Sequence, residues 1–152
     1  MPAPTKQFSA AELTALEHAF ASDPTSDAFR PLAEAYLSLG RYMEAMVVCK
    51  KGVKAHPDDP SPRVLLARVY ADQGKDRKAL EELQAVLQTW PAFAIANRMA
   101  GALQLRLGDR EGGIAALRRA LEASPGDAET IAILQQNGVA AAAPAAPALR
   151  AA

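Results

Sequence analysis

Cysteine is nearly missing from this chain. Cys49 is the only one among 152 residues, so an intrachain disulfide framework and a CxxC metal or redox pair are both excluded. Histidine is almost as scarce. His18 and His56 lie in different segments without Cys or His at ligand spacing, which leaves no zinc or iron site. The chain has no glycine-rich loop that could cradle a phosphate. Cys49 sits in an apolar stripe and reads as a small core residue, not a nucleophile. These absences predict no catalytic residue, no metal and no cofactor, and hence no enzyme. Net charge is absent too, because 17 basic and 17 acidic side chains cancel. No overall field draws the chain to nucleic acid or to an anionic membrane. No stretch approaches the ~18 apolar residues of a membrane span, and the opening MPAPTKQFSAAELTALEHAF lacks an apolar run behind a basic segment. The expectation is a soluble, cytoplasmic protein in a reducing compartment, with no nucleic-acid partner and no membrane insertion.

What is present is a repeat. Gly40, Gly74 and Gly108 stand 34 residues apart, and Pro57, Pro91 and Pro125 keep the same interval. The units run 26–59, 60–93 and 94–127 without insertions, and a fixed period of this size marks a solenoid rather than a globular core. In the first unit, Phe29, Leu32, Ala33 and Tyr36 share one helical face and Gly40 stops that helix. Ala45, Met46, Cys49, Gly52 and Val53 form a second stripe that ends before His56 and Pro57. The second unit repeats the pattern with Leu66, Ala67 and Tyr70, then Ala79, Leu80, Leu83, Val86 and Leu87. Ser61 is placed to cap its first helix, with Pro62 in the first turn. The third carries Ala100 and Gly101, then Gly113, Ile114, Leu117, Ala120 and Leu121. Small residues at Ala45, Ala79 and Gly113 allow the paired helices to approach closely.

Outside the repeats, residues 9–22 read as a helix with Leu13, Leu16, Ala19 and Phe20 on one side. Asp127 is placed to cap a helix over 128–137 that covers the last exposed face. The predicted layout is a flexible stretch 1–8, a repeat domain 9–138 of eight helices, and an Ala/Pro-rich tail 139–152 read as a disordered segment or interdomain linker.

The hairpin with Gly-Arg-Tyr-Met-Glu-Ala at 40–45, Gly-Lys-Asp-Arg-Lys-Ala at 74–79, Gly-Asp-Arg-Glu-Gly-Gly at 108–113 and a closing proline resembles the tetratricopeptide repeat (TPR) family across 26–127. The resemblance implies an all-α solenoid of three helical hairpins with an N-terminal helix and a C-terminal capping helix, wound as a right-handed superhelical arc. Its first helices would line a concave groove that receives an extended peptide or a partner's helix. The family's first-helix tryptophan column reads Phe29, Arg63, Asn97 here, and its tyrosine column Tyr36, Tyr70, Gln104. This predicts looser hydrophobic packing in the third repeat.

With Phe29, Leu32, Ala33 and Tyr36 turned inward, residues one step on lie about 100° further round and face the groove. The columns read Asp27, Ser61, Ile95; Arg30, Val64, Arg98; Glu34, Arg68, Ala102; Leu37, Ala71, Leu105; and Ser38, Asp72, Arg106, with Asp59, Phe93 and Asp127 at the rim. The third groove helix carries Arg98 and Arg106 beside Ile95 and Leu105 and no acid of its own. The predicted partner-binding set is therefore Arg30, Val64, Arg68, Phe93, Ile95, Arg98, Leu105 and Arg106. Its ligand would be an acidic peptide or helix with an apolar anchor. Two blander readings stay open: Arg68 and Asp72 at i,i+4 pair with each other, and Arg106 is a solvated charge. The carboxylate clamp that some family members use for heat-shock chaperone C-termini maps onto Arg30, Glu34, Leu65, Ile95 and Met99. Only Arg30 suits that role, and Glu34 repels a carboxylate.

Trp90, read chiefly as core cover, clusters with Pro91 and Phe93 at a turn. Met43 and Val47 lie off the buried stripe of their helix, either packing against helix 9–22 or marking a second contact surface. The leading functional expectation is a non-catalytic adaptor or scaffold in a larger bacterial assembly. The alternative is a dedicated cytoplasmic chaperone of type III secretion translocators, which the resemblance suggests through similar length and layout. Oligomeric state is left open by the sequence.

Overall fold

The computed structural model describes residues 7–141. Of the expected flexible N-terminus, residues 1–6, and of the expected Ala/Pro tail, residues 142–152, lie outside the described residues. Eight helices follow one another among the described residues: α1 (Ala10–Ser22), α2 (Phe29–Ser38), α3 (Tyr42–Ala55), α4 (Ser61–Asp72), α5 (Asp76–Thr89), α6 (Ala94–Arg106), α7 (Arg110–Ala123) and α8 (Ala128–Gln136), with no strand. The chain divides into two compact units, Met1–Val86 and Leu87–Ala152, and the division falls within α5.

Each first helix of a hairpin ends in the same way. Gly40, Gly74 and Gly108 take φ of 71°, 77° and 90°, a left-handed backbone that side chains with a Cβ enter at a cost. The chain then folds back, so that the amides of Arg41, Lys75 and Asp109 donate to the carbonyls of Tyr36, Tyr70 and Gln104, each at 2.8 Å. The helix starts are polar. Ser9 and Glu12 form a reciprocal capping box on α1, and Asp109 accepts from the Gly112 amide at 2.9 Å on α7. Ser61 does not cap α4 as its position suggests. It is the first helical residue, and Asp59 accepts its amide at 2.9 Å instead.

In the first unit α2 packs on α3, α3 on α4, and α1 lies on α2. Phe29, Leu32, Ala33, Tyr36, Ala45, Cys49, Leu66, Ala67 and Tyr70 are buried, as the stripes predict. Val48 joins them, while Met46 and Val53 are only half-buried. The buried arc of α3, which packs on both α2 and α4, is thus rotated toward Val48 and away from Met46 and Val53. Leu37, expected in the groove, is buried as well, where α2 meets α4. Burial pushes the Cys49 thiol up to about 12, far from the thiolate a nucleophile needs.

In the second unit α6 packs on α7 and α7 on α8. The expectation of looser packing here is overturned. A Cβ built on Gly101 would lie 2.9 Å from the Gly113 carbonyl oxygen, and one on Gly113 would lie 2.9 Å from that of Gly101. The two helices thus meet backbone to backbone, with Leu117 and Leu105 closing over the glycines. Asn97 replaces an aromatic yet is wholly buried. Its amide donates to the carbonyls of Pro91 (2.9 Å) and Phe93 (3.3 Å), and its oxygen accepts from Arg119 Nε at 3.3 Å. A buried polar group satisfied in this way avoids the desolvation cost that an unpaired one incurs.

Candidate peptide-binding faces

The outward sides of α2 and α4 in the first unit, and of α6 in the second, carry the predicted residues. On α2 and α4, Arg30 and Val64 are half-buried and Arg68 is exposed. Arg30 Nη2 donates to Asp59, and its Nε lies 3.7 Å from Asp27. Arg68 lies 3.9 Å from Glu34, both about half exposed, so the pairing seen is with Glu34 rather than with Asp72. A contact at that length between exposed groups contributes little and leaves the guanidinium free to exchange partners.

On α6, Ile95 is 44% exposed although it is a large aliphatic residue. Arg106 is exposed, while Phe93 and Leu105 are half-buried. Arg98 is different from the expectation. Its side chain is only 20% exposed and its Nη1 lies 3.2 Å from Asp127 and 3.4 Å from Glu129, so it does meet carboxylates, supplied by α8 and its cap. Asp127 also accepts from the Thr130 hydroxyl and amide, then from Arg98, and these bonds hold its carboxyl below the usual range.

Arg30 with Asp59 and Arg98 with Asp127 are the same contact in two repeats, each pair 29 residues apart. In both, an arginine on the first helix of a repeat grips the aspartate that closes that repeat, just ahead of the following helix. Burial tends to raise the Asp59 carboxyl, but the Ser61 amide and hydroxyl and then Arg30 outweigh it, so it too is held low. In the middle repeat the equivalent positions are Val64 and Phe93. Both columns were readable in the sequence. Their pairing was not, because a separation of 29 is no helical neighbour spacing and shows only once the hairpins are stacked.

Comparison with known proteins now fixes the family. Two tetratricopeptide repeat profiles match, one over residues 5–69 and one over 64–128. The chain belongs to the tetratricopeptide repeat family. As a TPR chain it superposes on TTC0263, a thermophilic TPR protein of Thermus thermophilus, with a TM-score of 0.74 at 22% identity, over 84% of this chain and 71% of that one. The Sgt2 TPR domain from Aspergillus fumigatus gives 0.70 at 20% identity, over 76% and 78%. The first TPR of Spaghetti (RPAP3), bound to the HSP90 peptide SRMEEVD, gives 0.65 at 20% identity, over 87% and 94%. These likenesses establish a TPR solenoid fold. No curated protein matches the chain. Among the described residues, no TPR helix is long and apolar enough to cross a membrane.

Proposed function

We propose that this TPR chain is a non-catalytic adaptor of the bacterial cytoplasm that docks an acidic, apolar-anchored peptide or helix of a partner protein on its first-helix faces. The observation that carries this reading is the outward placement of side chains the core does not use. Ile95 on α6 stands exposed, and Arg68 on α4 holds only a long contact to Glu34. Exposed aliphatic groups beside arginines suit a ligand that combines an apolar side chain with carboxylates. Val64, Phe93, Leu105 and Arg106 extend the two faces, each on its own unit. Arg30 and Arg98 belong to the same column as Val64 and already hold the rim carboxylates of Asp59 and Asp127.

The HSP90 peptide bound by the Spaghetti domain is a poor guide to the ligand here. Glu34 stands exposed on α2, and Ile95 and Met99 occupy positions where a carboxylate clamp needs cations. The test is affinity capture with the intact chain from its source cells, followed by calorimetry on the captured protein. Ile95→Asp and Arg68→Ala together should weaken binding by a few kcal/mol at unchanged helicity. Unchanged affinity would remove these faces from the function. Arg98→Ala is the less informative variant, since it also releases α8.

A further inference from the structure

Independently of those faces, the first unit carries a cleft between α1 and α3 of about 350 Å³. Phe20 of α1, Leu32 of α2 and Val48 of α3 form its floor, all buried. Met43 and Val47 form a wall and stay 62% and 48% exposed, so neither is consumed by packing against α1. The corresponding positions of the other second helices are Arg77 and Glu81 on α5, and Glu111 and Ala115 on α7. The apolar pair is therefore peculiar to α3 and is not a requirement of the repeat.

The same helix face continues into charge. Taking about 100° per residue, Met43, Val47, Lys50, Lys51 and Lys54 fall within an arc of about 100°. All three lysines are exposed. Among the described residues none of them has an ion pair, and Lys51 Nζ sits 5.7 Å from the centre of the Phe20 ring. The carboxylates at the other end of the cleft are engaged. Glu44 pairs with Arg41, and Glu17 accepts the Tyr36 hydroxyl at 2.7 Å. The face thus runs from apolar to cationic along one helix.

We propose that this cleft is a second docking site, for an amphipathic helix of a partner protein with large aliphatic residues at i and i+4 followed by carboxylates on its next two turns. The aliphatic pair matches Met43 and Val47, one turn apart, in the helix-in-groove mode. The carboxylates meet Lys50, Lys51 and Lys54. The chain's own residues 1–6 and 142–152 contain no Asp or Glu, so they lack the chemistry the lysines ask for.

The probe is a synthetic helix with leucine at i and i+4 and glutamates on the following turns, with a lysine-for-glutamate control, titrated into isotope-labelled protein. Amide shifts should concentrate on Phe20, Met43, Val47 and Lys51. Met43→Glu/Val47→Glu, at exposed positions and with helicity checked, should weaken the probe at least about tenfold. Lys51→Glu/Lys54→Glu should weaken the glutamate probe and confer binding on the lysine control. Shifts confined to α2, α4 and α6 would overturn the proposal in favour of the first-helix faces. Equal binding of both probes would reduce the cleft to unspecific apolar adhesion. Self-association through Met43 and Val47 that the probe does not displace would make the occupant a second copy.

Discussion

The α2/α3 hairpin of the first unit and the α6/α7 hairpin of the second solve one packing problem with opposite residues. In the first, Phe29 is wholly buried and lies over Gly52, where an added Cβ would come within 2.7 Å of its ring. In the second, the same two places hold Asn97 and Ala120. At the helix crossing the first unit has Ala33 and Ala45, and the second has Gly101 and Gly113. A large ring sits over a glycine in one hairpin and a smaller amide beside an alanine in the other, and the glycine crossing draws the helices together where the aromatic is missing. The volume lost with the ring is made up only in part by the Ala120 methyl, and the closer approach of the helices at Gly101 and Gly113 takes up the rest.

Phe29→Ala should be the most damaging change to this arrangement, costing about 4 kcal/mol by opening a void beside Gly52. Urea unfolding followed by helix content would show it, and a loss below about 1 kcal/mol would mean that the ring is not a core element. Gly113→Val comes next at about 3 kcal/mol, since the Leu105 side chain and the Gly101 carbonyl both stand in the way. Its counterpart Ala45→Gly in the first unit should cost only about 1 kcal/mol, the helix-propensity penalty of glycine. Equal losses from the two would dissolve the contrast between the crossings.

Arg98→Ala should cost about 1 kcal/mol. Hydrogen exchange should quicken in α8 and leave α2 and α3 unchanged. The smallest effect is one of pH and separates the units by chemistry. Burial, then the bond to Glu17, pushes the Tyr36 hydroxyl up to about 12. A raised folded pKa stabilises fully below the unfolded value near 10, and that stabilisation fades as pH climbs from about 10 through 12. All three tyrosines, Tyr36, Tyr42 and Tyr70, precede Leu87, so alkaline loss should begin in the first unit. Phenolate absorbance alongside helix content would reveal it, and Tyr36→Phe should abolish it. On the acid side both units respond. The depressed carboxyls of Asp59 and Asp127 stabilise above about pH 4 and lose that contribution as pH falls through their folded values.

Much of this was legible in the chain. Period, glycine stops and eight helices were, because each depends on local chemistry that recurs at fixed spacing. The burial of Leu37 and Val48 was not, since it depends on how many neighbours a helix acquires. Single-helix periodicity counts one. Asn97 and the glycine crossing mislead for a related reason: the hydrophobicity of one strip does not measure tightness, because close backbone approach needs the absence of side chains. For the candidate faces, the exposure of Arg68, Ile95 and Arg106 followed from the helical wheel. The engagement of Arg98 by Asp127 and Glu129 did not, because those acids arrive from the next helix.

The paired compensation at Phe29 with Gly52 and Asn97 with Ala120 bears on how such a gene can change. Tandem repeats invite unequal crossing-over, and an exchange at the turn glycines Gly40 and Gly108 would splice the first helix of one hairpin onto the second helix of another. One product would press an alanine methyl into the Phe29 ring, and the reciprocal one would leave Asn97 facing a hole at Gly52. Exchanges at the prolines would carry each matched pair intact. A splice at the turn glycines therefore separates the matched pairs, whereas one at Pro57 and Pro125 moves whole hairpins and keeps them together.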